Sequence, residues 1–131
     1  MIALFIFSKD NNHPLNWMLR GEYRHVEVRI YDQPTHLWLR HNFGENGHEI
    51  SVDAHGDFPI QEHYRNQGLE VISIECDPSK RLQLPMSLNN CVGMAKNLTG
   101  LNTMALTPQQ LYNHVRKSDI GEIECKNYAM L

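Results

Sequence analysis

A cysteine and a histidine lie in sequence contexts that suit nucleophilic catalysis. Cys91 stands at the start of the helix-like run 87–96, and His25 lies inside the β-like run 23–30. A thiol at a helix N-terminus faces unpaired backbone N–H groups and the positive end of the helix dipole, which favour the thiolate. An imidazole can accept the proton that the thiol loses. The sequence therefore predicts Cys91 as a nucleophile and His25 as its base.

The other two cysteines have no comparable support. Cys76 and Cys125 lie at wide, unequal distances from Cys91, and no pair has the CxxC spacing of a zinc or redox motif. An odd number of unpaired thiols fits a reducing compartment. Taken alone, Cys91 could also be a small buried hydrophobe, so the hypothesis rests on the pair with His25.

A third polar group should orient the His25 ring, and a predicted hairpin limits the choice. Strands are predicted over residues 23–31 and 36–42, and residues opposite one another in such a pair share a face of the sheet. A two-residue loop at Gln33-Pro34 pairs His25 with Asn42, whereas a three-residue loop pairs it with His41. Continuity of the apolar face favours Asn42.

The remaining elements follow from hydrophobic periodicity and capping patterns. The sequence predicts strands at 2–7, near 49–53 and at 69–75, and a short edge strand through Ile123. It predicts a helix at 14–20 ended by Gly21, a helix that contains Cys91, is capped by Ser87 or Asn89 and ends near Gly100, and a helix after the Thr107-Pro108 cap with Leu111 and Val115 facing the core. Residues 57–66 are polar and carry no clear assignment. The elements together predict an α+β fold.

Length and charge limit the classes of protein that fit. The 131 residues suit a single domain, 1–131, without internal repeats. The net charge is −3 with no basic stripe, which argues against a nucleic-acid partner. The apolar start is too short for a signal peptide or a membrane span, so we expect a cytoplasmic protein. No cofactor is predicted, and the oligomeric state stays open.

Four short segments of the chain resemble one family. These are Phe5-Ile6-Phe7-Ser8, Met18-Leu19-Arg20, Arg24-His25-Val26-Glu27-Val28 and Asn90-Cys91-Val92-Gly93. They are similar to segments of the circularly permuted papain-like hydrolases of the NlpC/P60 superfamily, in which the histidine strand precedes the cysteine helix. The order of His25 and Cys91 agrees. Segments 98–101 and 106–108 also resemble phage and bacterial members of this group.

The resemblance implies a fold, a reaction and roles for individual residues. It implies a permuted papain-like domain in which a small antiparallel sheet packs against the nucleophile-bearing helix. Cys91 would be the nucleophile, His25 the general base and then acid, and His41 the polar partner, since that family position falls near the end of the next strand. The substrate would be a peptide, peptidoglycan or another acyl compound, in the host cytoplasm if the chain is phage-encoded.

Two other functions remain open from the sequence. The eight histidines, among them His36, His41, His48 and His55, invite a zinc site, although no HExxH or paired-cysteine motif fixes a geometry. Alternatively, the chain could be a catalytically inactive binding or assembly protein on the same scaffold, with aromatic residues at its partner surface. Trp17, Trp38, Tyr31 and Tyr64 are the candidates for that surface.

Overall fold

The computed structural model describes residues 1–9, 23–44, 47–77, 91–101 and 103–121. Its elements in chain order are β1 (Ile2–Ser8), β2 (His25–Asp32), β3 (Leu37–Gly44), β4 (Gly47–His55), α1 (Ile60–Asn66), β5 (Glu70–Glu75), α2 (Cys91–Thr99) and α3 (Pro108–Val115), followed by a 3₁₀ turn at Arg116–Ser118. The predicted helix at 14–20, the caps Ser87 and Asn89, Cys125 and the strand through Ile123 lie outside the described residues.

The five strands form one sheet in the order β4-β3-β2-β1-β5, and all neighbours are antiparallel. Helices and an antiparallel sheet in one unit confirm the predicted α+β class. The inner strands β1 and β2 are largely buried, whereas β4 is an edge strand with a largely exposed pattern. The exposure of β4 follows from its place at the edge of the sheet, where a strand can remain solvated along its length.

The sheet has apolar residues on both faces. One face carries Phe5, Phe7 and Val28, which pack with Val92 and Ala95 of α2 and with α3. The other face carries Ile2, Leu4 and Ile6 together with Trp38 and with Ile60 of α1. Full burial of a side chain of this size contributes about 1.5–3 kcal/mol. Burial on both faces explains why β1 reads as a continuous apolar run rather than an alternating one.

The hairpin between β2 and β3 differs from both predicted registers. Val28 pairs with His41 and Asp32 pairs with Leu37, so the loop contains four residues, 33–36. His36 closes it at φ 56°, and its backbone N–H donates to the Asp32 carbonyl at 2.9 Å. The predicted loops of two or three residues were wrong. The turn-forming pair Gln33-Pro34 indicates a short loop, but the left-handed backbone of one further residue lengthens the loop to four.

Helix α1 occupies part of the segment that the sequence left unassigned. Only Ile60 and Gln61 are buried, so the apolar stripe that normally marks a helix is reduced to one residue. Gln61 compensates for its burial through hydrogen bonds to the Ser73 hydroxyl and to the Gly121 carbonyl, the latter at 2.8 Å. A polar residue that is buried and paired carries no hydrophobic signal in the sequence.

Helix α2 ends and helix α3 begins as predicted. Thr107 caps α3 by accepting from the backbone N–H of Gln110 at 3.2 Å, and Leu111 and Val115 are buried. Gly100 follows α2 at φ 70° and suits the position after a helix, because glycine enters this region without a steric penalty. None of the helices in the described ranges is long and apolar enough to cross a membrane.

Candidate active site

Cys91 is the first residue of α2, as the sequence predicted for a nucleophile. The helix packs with β2 and β3 through the cluster that contains Val92, Met94 and Ala95, and Cys91 itself lies half-buried at the margin of that cluster. The first turn of α2 contains no acidic residue. The helix terminus therefore presents its positive dipole end to the thiol without a carboxylate that would oppose it.

His25 is the first residue of β2 and contacts both Cys91 and Asn42. Its Nε2 lies 3.0 Å from the Asn42 Oδ1, and the ring also interacts with the Cys91 thiol, which raises the pKa of the imidazole. Because an amide oxygen only accepts, the ring donates to Asn42 through Nε2–H, which leaves Nδ1 for the thiol. The three side chains form a cysteine–imidazole–amide chain, the arrangement that a thiol nucleophile requires.

The pKa of His25 reflects these contacts. Burial of the ring lowers the pKa, but the hydrogen bond to Cys91, the charge interaction with Cys91, the hydrogen bond to Asn42 and the charge of Glu27 together raise it above its ordinary value. The site therefore stabilises the protonated imidazole more than water does. A raised histidine pKa beside a thiol suits an imidazolium–thiolate pair.

The register of β2 explains which residue of β3 reaches His25. Continuing the pairing of Val28 with His41 toward the start of β2 places His25 level with Gly44. Asn42 is then a diagonal neighbour, two residues from the opposite position, which lies within the reach of a histidine side chain. The structure thus brings Asn42 to His25, although by a different register from the one predicted.

His41 lies elsewhere. It is buried, and its Nδ1 is 2.9 Å from the Nε2 of His48 on β4. Burial, the charge of His48 and the charge of Arg29 lower the pKa of His41 to about 4. The family resemblance implied His41 as the polar partner, but the structure gives His41 a different partner and places Asn42 at 3.0 Å from His25.

Backbone contacts and an aromatic cluster fix the start of β2. Ser8 pairs with His25, and the Arg24 N–H donates to the Ser8 carbonyl at 2.9 Å. Tyr23, which precedes Arg24, packs against Phe7 and Tyr112, and the ring centroids of these three residues are 4.6–5.5 Å apart. Such ring pairs contribute about 0.5–1.5 kcal/mol each beyond their burial. Helix α3 thereby helps to hold the histidine strand in place.

A charged network lies on the polar face of β2 next to the site. The guanidinium of Arg29, 3% exposed, donates to Asp53 at 2.7 Å, to the Tyr64 hydroxyl at 3.1 Å and to Glu27 at 3.4 Å. Arg40 also donates to Glu27, at 2.8 Å. Glu27 was not among the predicted site residues, although its spacing of two residues from His25 places both on one face of the strand.

Cys76 provides an internal contrast to Cys91. Its thiol donates to the Met1 carbonyl at 3.4 Å. Burial, together with the charges of Glu75 and Asp77, raises the pKa of Cys76 to about 11 against the lowering effect of the N-terminal ammonium group. Cys76 is thus held as a protonated thiol at neutral pH.

The histidines of the zinc hypothesis fall into two separate places. His41 and His48 form the pair described above. His36 and His55 lie together with Asp57, and they are the one group of three potential metal ligands among the residues that the structure describes. The aromatic residues proposed for a partner surface are mostly internal, since Tyr31 and Trp38 are buried and Tyr64 packs against their cluster. Trp17 lies outside the described ranges.

Comparison of the chain with family models, with curated protein sequences and with solved structures finds no significant match.

Proposed function

We propose that the chain is a cysteine hydrolase or acyltransferase of the permuted papain-like class, acting on an amide or ester bond through a thioester. The observation that carries this proposal is the contact of one imidazole with both a thiol at a helix N-terminus and an amide oxygen. The order of histidine strand and cysteine helix, and the antiparallel sheet against which that helix packs, also fit this class.

The reaction would begin with proton transfer from Cys91 to His25. The thiolate sulfur forms a bond to the substrate carbonyl carbon, and the backbone N–H of Cys91 helps to stabilise the oxyanion. His25 then donates its proton to the leaving nitrogen or oxygen as the bond from carbon to the leaving group breaks. Water, or an acyl acceptor such as an amine or alcohol, attacks the resulting thioester and returns the thiol.

Asn42 would act by orienting the ring rather than by touching the substrate. By accepting from Nε2–H at 3.0 Å, Asn42 holds the tautomer whose Nδ1 is available to the thiol. The same contact stabilises the imidazolium that forms when the thiol ionises. Its role is therefore positional, and its loss should reduce the reactivity of Cys91 without abolishing it.

The experiment that tests the proposal is alkylation by iodoacetamide across pH, followed for each cysteine by mass spectrometry. Cys91 should react fast at neutral pH and slow at least about tenfold in the His25→Ala variant, because the thiolate loses its imidazolium partner. Cys76 is the internal control, and its slow reaction should be the same in both proteins. If Cys91 reacts no faster than Cys76 in the native protein, the nucleophile assignment is wrong.

A second measurement tests turnover. With p-nitrophenyl acetate, the wild-type protein should release nitrophenolate in a burst and carry an acetyl group on Cys91, which mass spectrometry locates. The Cys91→Ala variant should show neither. Fast alkylation of Cys91 with no acyl-enzyme from this or other activated esters would instead support the inactive binding protein on the same scaffold.

A further inference from the structure

A cluster of two imidazoles and one carboxylate lies at the end of β2 opposite to His25. His36 belongs to the turn between β2 and β3, whereas His55 ends β4 and Asp57 lies in the turn that follows. One donor atom from each of the three residues lies within 4.8 Å of the other two. Asp32 lies seven positions beyond His25 along β2, roughly 23 Å in an extended strand, so this cluster is distinct from the Cys91 site.

We propose that His36, His55 and Asp57 bind a divalent transition-metal ion of the zinc type, which clamps the β2–β3 turn to the turn after β4. The donors are the kinds that zinc prefers, two imidazole nitrogens and a carboxylate oxygen. Three protein ligands leave one position of a tetrahedral ion for water. This inference is independent of the proposed function and departs from the sequence prediction, which expected no metal.

The three donor groups lie close enough together for one ion to reach all of them. His36 Nε2 lies 3.1 Å from one oxygen of Asp57, and His55 Nδ1 lies 3.6 Å from the other. With metal–ligand bonds of about 2.0–2.1 Å, the ligands of a tetrahedral zinc are about 3.3 Å apart. The 3.1 Å and 3.6 Å distances run to different oxygens of Asp57, and the three donors lie within 4.8 Å of one another, so binding an ion would draw the three side chains closer together.

The surroundings of His36 hold its ring toward the cluster. Its Nδ1 forms a hydrogen bond with the Tyr31 hydroxyl, which leaves Nε2 as the ligating atom. Metal-bound histidines commonly donate their second ring N–H in this way. On its other side the ring lies against Gly56, where an added Cβ would come within 2.5 Å of it. The backbone of His36 has φ 56°, a conformation that is costly for a residue other than glycine.

Hydrogen bonds alone are the competing explanation of the cluster. The backbone N–H of Asp57 donates to His55 Nδ1 at 3.2 Å, and His36 and Asp57 can form an ion pair. His55 would therefore ligate through Nε2 or exchange this bond for the metal. What favours a metal is that one donor atom from each of the three residues lies within 4.8 Å of the other two, and that Tyr31 and Gly56 hold the His36 ring in place beside Asp57.

The test is titration of the full chain with Zn²⁺ and Co²⁺ in the Cys91→Ala background, which removes the thiol that could bind either metal at the other site. Calorimetry should show one Zn²⁺ per chain, with affinity at least about tenfold lower in Asp57→Asn and in His55→Gln. Co²⁺ should give weak visible bands without the strong near-ultraviolet band of thiolate ligation, because the ligands are nitrogen and oxygen.

Two further variants separate a built site from surface binding. Gly56→Ala and Tyr31→Phe keep all three ligands but disturb the His36 ring, and each should lower Zn²⁺ affinity by about tenfold or more. His48→Gln alters the His41–His48 pair and should bind Zn²⁺ as tightly as the Cys91→Ala parent protein does. Absence of stoichiometric binding, or binding that responds to His48→Gln and not to Asp57→Asn, would overturn the proposal.

Discussion

Asn42 Oδ1 accepts from His25 Nε2 at 3.0 Å across a diagonal between β3 and β2, two residues from the position directly opposite. The contact determines the tautomer of His25, because the nitrogen that donates to Asn42 cannot accept a proton from Cys91. Neighbouring residues of β3 thus place polar side chains at two separate sites. His41, the residue before Asn42, points to the other side of β3 and contacts His48.

We expect Asn42→Ala to slow the alkylation of Cys91 at neutral pH roughly fivefold, since one hydrogen bond contributes about 1 kcal/mol. The pH at which half of the maximal rate is reached should rise in this variant, because the imidazolium loses part of its stabilisation. Iodoacetamide labelling across pH measures both quantities.

The matched control for this variant is His41→Asn. It alters the neighbouring residue, which the family resemblance implied as the polar partner of His25. Its Cys91 should be labelled as fast as in the wild type. If His41→Asn slows labelling while Asn42→Ala leaves it unchanged, the orienting role belongs to His41 and the geometry assigned above is not the reactive one.

The sequence predicted the strands and helices that carry the site, because apolar runs, the Thr107-Pro108 cap and Gly100 are local signals. It identified Cys91 and His25 as a pair and kept Asn42 among the alternatives. The register was not predictable, since it depends on the left-handed backbone of His36, which no residue type demands. Helix α1 was missed for a related reason, as its buried Gln61 depends on partners distant in sequence.

The buried His41 should make stability depend on acid pH. Its pKa is lowered to about 4, against 6.5 in the unfolded chain, so below pH 6.5 the unfolded chain binds a proton that the folded chain does not. The free energy of unfolding should therefore fall as pH drops from about 7 to 4, by roughly 3 kcal/mol from this residue. Urea unfolding of His41→Asn should show a correspondingly smaller fall over this range.

The exposed His63 provides the control for that experiment. The variant His63→Gln removes one histidine from the same chain and should keep the wild-type pH dependence. Equal slopes for wild type and His41→Asn between pH 7 and 4 would show that His41 is not held neutral in the folded protein.

Removal of the Arg29 charge should be costly because its partners remain. In Arg29→Met the stem of the side chain is preserved, but the carboxylates of Asp53 and Glu27 lose the cation between them. Breaking such a buried pair costs about 3–5 kcal/mol, which urea unfolding at pH 7 would measure. The double variant Arg29→Met with Asp53→Asn should recover part of this loss, since one uncompensated charge is then removed. Additive losses would argue against a direct interaction.

The exposed apolar pair on β4 should contribute little to folding. Ile50 and Val52 are 61% and 62% exposed on the edge strand, so their replacement by threonine keeps the β-branched shape and removes few contacts. The double variant Ile50→Thr with Val52→Thr should change the free energy of unfolding by less than about 0.5 kcal/mol per site. Val28→Ala, at a fully buried position of β2, should cost about 2 kcal/mol in the same urea measurement. A loss of similar size in the β4 variant would mean that its apolar side chains are covered in solution, as an edge strand paired with a second molecule would be.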